Sequence, residues 1–493
     1  MPPLNTFTRT CVALSVSQLM TLPLQAATVT VNSLSDGTVS GCTLRDAIET
    51  IQTETDQSDC VSTGVFDTDD TIDFALPAGS QTIVLTEGSL SLVSKSLTID
   101  GSGETDLTIS GGGNHRIFAV ERVDATPTVL NLNDLTLSGG SVSGSETGGA
   151  INSNFAVILL DNVELSGNTA NNGGAIFANN GSVVLTNANV AGNTAVNNGG
   201  GVYGSRATMT LSNSSVVNND SGNDGGGIYF DSPQISYIQN STVSGNSAAG
   251  LGGGVFAQSG YFGLHKSTIS GNSASEVGGG VALLYGMFVS TVNSTISGNT
   301  TSANGGGVYL KGSTFNVNQG TFSGNSAVMY GGGIHLYSGS SSFLNTIVAG
   351  NLAGAGGTEL SGVGGLNGLT SLENNIFGES GNTIASAFEN FAAESGDIVA
   401  CSDSSDATEL ASILSPLADN GGPTQTHALV ERSPALDGAS PTGILSVLVN
   451  DEDQREEPRT DVRDIGAYEA EFPDQDGTFV VPLVDGKVVI FTL

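Results

Sequence analysis

Tryptophan is absent from the 493 residues, aromatic side chains make up only 6%, and 13 Lys and Arg face 48 Asp and Glu, a formal balance of 13 − 48 = −35. The shortage of cations argues against a nucleic-acid or anionic-membrane partner, because those polymers release counterions only to clustered positive side chains. Beyond residue 26 no stretch approaches the roughly 18 uninterrupted apolar residues that a membrane helix needs, so no transmembrane segment is expected in the exported chain. Proline is sparse at 13, whereas glycine reaches 69, about twice its usual share of roughly 7%. No collagen period accompanies the glycine, and its spacing is regular, which also argues against a disordered tail.

Cysteine is the fourth scarcity, with four in the chain. Residues 1–26 contain Arg9, the apolar stretches Cys11–Val16 and Leu19–Leu24, and the small residues Ala26 and Ala27 at their end. This order reads as a secretory signal. Export permits disulfides; Cys42 and Cys60 close a short loop and are expected to pair, which leaves Cys401 odd.

Against these absences stands a repeat. A Gly-Gly-Gly/Ala-Val/Ile unit begins at residues 148, 173, 199, 225, 252, 278, 305 and 331, and a second marker ends at Asn168, Asn193, Asn219, Asn246, Asn272, Asn299, Asn325 and Asn351. Each unit holds short alternating β-branched stretches split by Gly, Asn and Ser, too broken for helices. About 26 residues with three short strands make one coil of an all-β parallel β-helix, whose strands stack about 4.8 Å apart along the axis. Three inward columns follow, beginning at Ile151, Ser153 and Leu165. The marker asparagines are expected at a tight bend with φ > 0, their amides bonded into a ladder. A second series from Asn162 to Asn345, interrupted by Lys266 and Gln319, reads as another ladder. Weaker coils at 81–99, 107–120 and 129–137 bring the total to about 11–12.

Several motifs carry a family resemblance. The repeats resemble right-handed parallel β-helix repeats, including those of chlamydial polymorphic outer-membrane proteins. Cys42-Thr-Leu-Arg-Asp-Ala-Ile48 is similar to the Cys-Ser-Leu-Arg-Glu-Ala-Ile motif of exported β-helix proteins. Ser415–Thr424, Thr426–Leu429, Ser433–Asp437, Asp453-Gln-Arg455 and Asp464–Glu469 are similar to choice-of-anchor Q domain proteins. That resemblance implies an exported, surface-associated bacterial β-helix with no assigned activity. The expected organisation is a signal at 1–26, an N-terminal cap at 27–75, the β-helix at 76–399, a C-terminal cap at 400–472 and a terminal hairpin at 473–493.

Candidates for chemistry are few. Within 148–351 the charges are Asp161, Glu164, Asp220, Asp224, Asp231 and Glu276 against Arg206, Lys266 and Lys311, a net of 3 − 6 = −3. Arg206 and Asp231 fall near one another on adjacent coils and read as an exposed ion pair, or as a catalytic pair in a polysaccharide-active lyase or hydrolase. Acidic loops around Asp67–Asp73, Asp451–Asp453 and Asp474–Asp476 are solvated loops or structural Ca²⁺ sites; no other cofactor is expected. The outward neighbours of the core Val/Ile are Phe177, Tyr203, Tyr229, Phe256, Ala282, Tyr309 and His335. Such a stripe stacks on a sugar or a partner's apolar edge, or its rings stack on each other. The combined expectation is a secreted or surface-held binding or adhesion protein for an extracellular glycan or a surface protein. A polysaccharide-active enzyme and a purely structural matrix component are the alternatives.

Overall fold

A computed structural model describes residues 25–470, except 38–39, 68, 80, 105, 364–367, 440–451 and 460–461, together with the strands Thr478–Pro482 and Val488–Thr492. Residues 1–24 of the proposed leader lie outside the described residues.

The chain winds into a parallel β-helix of about 12 turns. Each coil places strands on three faces, and each strand pairs in parallel with its equivalent one coil away. Ile176 lies on Ile151 and under Val202 on the first face. Val183 lies on Ile158 and under Met209 on the second, and Val190 on Leu165 and under Val216 on the third. A ladder of two-residue strands closes each coil from Thr169–Ala170 to Leu352–Ala353.

Alternation in these strands sends one set of side chains inward, and the three expected columns form the buried core. Volume is traded between faces to keep the interior filled. Gly204 leaves room for Met209, whose Sδ would lie 2.4 Å from a Cβ at that position. One coil on, the large residue is Phe230 and the small one Ser236, both fully buried. The Gly-Gly turns are equally tight: Gly225 has φ +65°, and a Cβ on Gly226 would stand 2.3 Å from the Gly253 carbonyl oxygen.

The marker asparagines are buried, and from Asn193 onward each Oδ1 accepts from both the backbone N–H and Nδ2 of the asparagine one coil earlier, while Asn168 Oδ1 accepts from the Gly140 N–H. For Asn246 and Asn272 both distances are 2.9 Å, and Asn272 Nδ2 also donates to the Val243 carbonyl at 3.0 Å. The expected positive φ is corrected. Left-handed backbone belongs to the residue before each marker, Gly167, Gly192, Asn218 and Gly245 in the first coils. The marker itself keeps an ordinary φ because its amide must point into the rod. The second series does adopt positive φ, from Asn162 at 54° to Asn345 at 51°, including Lys266 and Gln319. Glu359 ends the buried ladder by accepting from the N–H groups of Gly350 and Asn351 and from Asn351 Nδ2 at 2.6 Å.

Both ends differ from simple caps. Thr28–Val31 and Thr71–Phe74 are already rungs, paired with each other and onward to Leu97–Asp100. Between them, helix Leu44–Thr53 starts at Thr43, which caps the Asp46 N–H, and buries Leu44, Ala47, Ile48 and Ile51. Cys42 and Cys60 are disulfide-bonded beside it. Arg45 joins Asp36 at 2.8 Å and donates to the Gly88 and Ser89 carbonyls, tying the helix to the first coils.

At the other end, Phe377, Phe388 and Phe391 cluster over the last rungs. Within the expected cap at 400–472, described residues of 413–439, 452–459 and 462–470 lie along the flank of the rod. The third face there presents small polar side chains that offer hydrogen bonds and room: Thr268 donates to the Gln425 carbonyl, Thr295 to Gln454, and Ser297 bonds His427. Thr321 accepts from the Ala467 N–H, and Ile347 and Ala349 join Leu414, Leu429, Ala435 and Ile465 in a separate core. The motif residues hold this strap together. Buried Arg459 donates to Glu469 at 2.8 Å, to the Gly466 carbonyl and to Asn293. Asp453 takes Arg455 at 2.8 Å, and Arg455 lies 3.8 Å over the Tyr468 ring. Thr478–Pro482 and Val488–Thr492 pair antiparallel.

Candidate binding site

The rings of the outward stripe stack on one another. Centroids are 5.1 Å apart for Phe177 and Tyr203, 4.6 Å for Tyr203 and Tyr229, and 4.6 Å for Tyr229 and Phe256; the stack breaks at Ala282 and resumes with Tyr309 and His335 at 5.6 Å. Tyr229, Phe256, Tyr309 and His335 are buried, and only Phe177 and Tyr203 stay half-exposed. The cover is local: Leu251 and Leu284 pack on the rings. Burial pushes the Tyr203 phenol up to about 12, with the Asp231 charge adding to the shift, and lowers the His335 imidazole to about 4.

At the stripe's open end, Phe177 borders a notch of about 330 Å³ with Arg116, Glu121, Asn152, Asn154 and Asn179. These polar groups satisfy one another. Asn179 donates to Asn154 at 2.9 Å, Asn154 to Glu121 at 3.2 Å, and Arg116 to the Thr147 and Gly148 carbonyls.

Arg206 and Asp231 do not form the expected ion pair. Arg206 turns to the coil below and donates to Asn180 at 3.0 Å and Asn179 at 3.2 Å, while Asp231 accepts from Gln258 at 3.0 Å and from Ser232. Asparagine carboxamides supply acceptors closer to its own corner.

The acidic loops are also occupied by protein donors. Asp70 accepts from the Ala27 and Asp67 N–H groups and lies 3.4 Å from Lys95, and Asp453 is held by Arg455. Asp451, Asp474 and Asp476 lie outside the described residues. Among the described residues no group of three or more His, Cys, Asp or Glu side chains is placed to hold a metal. Cys401 is buried and unpaired, and burial pushes its thiol up to about 12.

The second face carries a site that the repeat analysis missed. Thr208, Thr210, Pro233, Gln234, Ile235, Tyr237, Gly260 and Tyr261 line an open groove of about 680 Å³ across three coils. Ile235 is 58% exposed, and above it Tyr261 stacks on Phe288 at 5.6 Å, itself 42% exposed. Gly263 makes the arrangement possible, because a Cβ there would meet the Tyr237 ring at 2.8 Å. Tyr285 and Tyr337 continue the exposed rings around the corner, with the Lys311 ammonium 5.8 and 5.4 Å from their centroids. The alternation in Ile235-Ser-Tyr-Ile-Gln239 and Tyr261-Phe-Gly-Leu-His265 was a visible signal. The linker before these strands changes length from coil to coil, so the 26-residue markers do not set their register.

A model of the right-handed β-helix region matches residues 202–353, which include the groove, and a model of the Chlamydia polymorphic membrane protein repeat matches residues 162–179. No curated protein matches the chain. The β-helix match agrees with the observed fold, and the two together are consistent with a surface or adhesin-like protein. No helix among the described residues is long and apolar enough to cross a membrane.

Proposed function

We propose that the chain is an adhesin-like rod, exported and held at the bacterial cell surface, which engages an extracellular glycan or surface protein along its flank without turning it over. The observation that carries this reading is the open, ring-lined groove on the second face, flanked by further exposed rings on neighbouring coils. Exposed aromatic surface on a chain of this net charge is costly unless a partner uses it. Phe177 and Tyr203, beside their polar notch, offer a smaller second contact. Arg206 and Asp231, the pair on which a catalytic reading relied, serve different partners.

Labelled protein incubated with intact cells and extracellular matrix tests this reading, with new polysaccharide chain ends followed in the supernatant. Retention without new ends is the expected outcome. New ends dependent on the protein would make it an enzyme, and absence of retention would remove the binding reading.

A further inference from the structure

We infer that the groove bounded by Tyr237 and Tyr261 is a binding site for an uncharged glycan lying along the rod axis. The inference rests on the adhesin-like reading and specifies its ligand.

Two parallel tracks run from coil to coil on the second face. One is apolar, Ile235 to Tyr261 to Phe288; the other, two residues along each strand, is Thr210, Tyr237, Gly263, Ser290 and Asn316. The first offers apolar and ring surface; the second offers the Thr210 and Tyr237 hydroxyls on adjacent coils, about 4.8 Å apart along the axis, and is interrupted at Gly263. A sugar chain has the matching duality, with apolar C–H faces to lie on rings and hydroxyls at its edges, repeated along its length. Sites of this volume commonly combine aromatic walls with a few placed polar groups.

Charge selects among glycans. No charged side chain lines the groove, although the chain carries −35 overall. An acidic polymer meets long-range repulsion and finds no cation in the groove to neutralise it. The fold also argues against a peptide occupant. Every second-face strand near the groove is hydrogen-bonded to the coils on both sides, so no backbone edge is free for an added strand. On the first face the rings from Tyr229 upward are packed under Leu251 and Leu284, and the third face from Thr268 upward is covered by Gln425 and Gln454.

The test measures depletion of the purified chain onto insoluble uncharged polysaccharides (mannan, β-glucan, xylan) and onto alginate and polygalacturonate, at low and high salt. The expected result is salt-insensitive retention on at least one uncharged polymer and none on the acidic ones. Tyr261→Ala and Tyr237→Ala should each weaken retention by roughly threefold to tenfold, the value of one ring stack, with unchanged circular dichroism and melting. Val328→Ala, at a 65% exposed position outside every proposed contact, serves as a control that leaves retention intact. Preference for the acidic polymers, or retention indifferent to both tyrosine substitutions, overturns the assignment. Retention on cells without retention on any uncharged polymer overturns it too, while leaving the adhesin-like reading standing.

Discussion

Two columns of outward rings climb the same rod, one buried from Tyr229 upward and the other open to solvent. Phe256, in the stripe on the first face, is 3% exposed, whereas Phe288, one coil up on the second face, is 42% exposed. Residue type, direction and axial spacing are alike in both. The difference lies in what packs beside the ring. On the first face Leu251, at the turn, and Leu284, one coil on, pack with Tyr229 and Phe256. The second-face strand follows an open corner through Ser259 and Gly260 or Tyr285 and Gly286, with nothing folded over it. An outward ring is therefore a structural brace or a contact surface according to the side chains packed beside it.

The largest expected effect comes from deleting the same side chain in each column. Phe256→Ala should cost about 3–5 kcal/mol, as buried aromatic truncations do, while Phe288→Ala should cost no more than about 1 kcal/mol. Chemical-denaturation midpoints compared at equal m-value measure both. Equal losses would erase the distinction between the columns.

A smaller effect appears in pH dependence. The Tyr203 phenol, raised by burial from 10.0 to about 12, stays protonated where the unfolded chain has already ionised. Stability should therefore fall as pH rises from about 10 to 12. Tyr229 is raised further for the same reason, so Tyr203→Phe with Tyr229→Phe should flatten this limb. His335 works at the other extreme: burial lowers it from 6.5 to about 4, partly opposed by the Glu389 charge. The unfolded chain then binds a proton that the folded one refuses, and stability is lost as pH falls from 6.5 to about 4. Glu359 acts in the opposite sense, because burial raises its carboxyl from 4.5 to about 8 and stability is lost as pH rises through that range. The His335 contribution is therefore read as the difference between the wild type and His335→Phe, which should gain relative stability only below about pH 6.5. A constant difference at all pH values would remove the titration argument.

The contrast also marks what a sequence of this kind reveals. The inward columns and the Asn246-type ladder were legible because one residue per coil does the same job at one period. Burial of Tyr229 was not, since the Leu251 and Leu284 side chains that pack with it stand outside the repeated columns. The groove at Tyr237 depends on corner lengths that vary, with Ser232-Pro233-Gln234 in one coil and Ser259-Gly260 in the next. The flank contacts made from within 400–472 were not legible, because their partners, Thr268, Thr295 and Thr321, look like ordinary outward threonines until Gln454 and Ala467 reach them.

The smallest expected effect concerns Arg206 and Asp231, which border the stripe without pairing. Each has its own partners, so Arg206→Ala and Asp231→Ala should be additive, with a coupling below about 0.5 kcal/mol. Neighbouring rings such as Tyr229 and Phe256 should instead couple by about 0.5–1.5 kcal/mol through their stack. The two charges still reach Tyr203 through space, Asp231 raising its pKa and Arg206 lowering it. Asp231→Asn should shift the Tyr203 titration downward and Arg206→Ala upward, as followed by phenolate absorbance. A strong coupling in the cycle would restore the ion pair, and opposite titration shifts without coupling would establish that both charges act on the stripe independently.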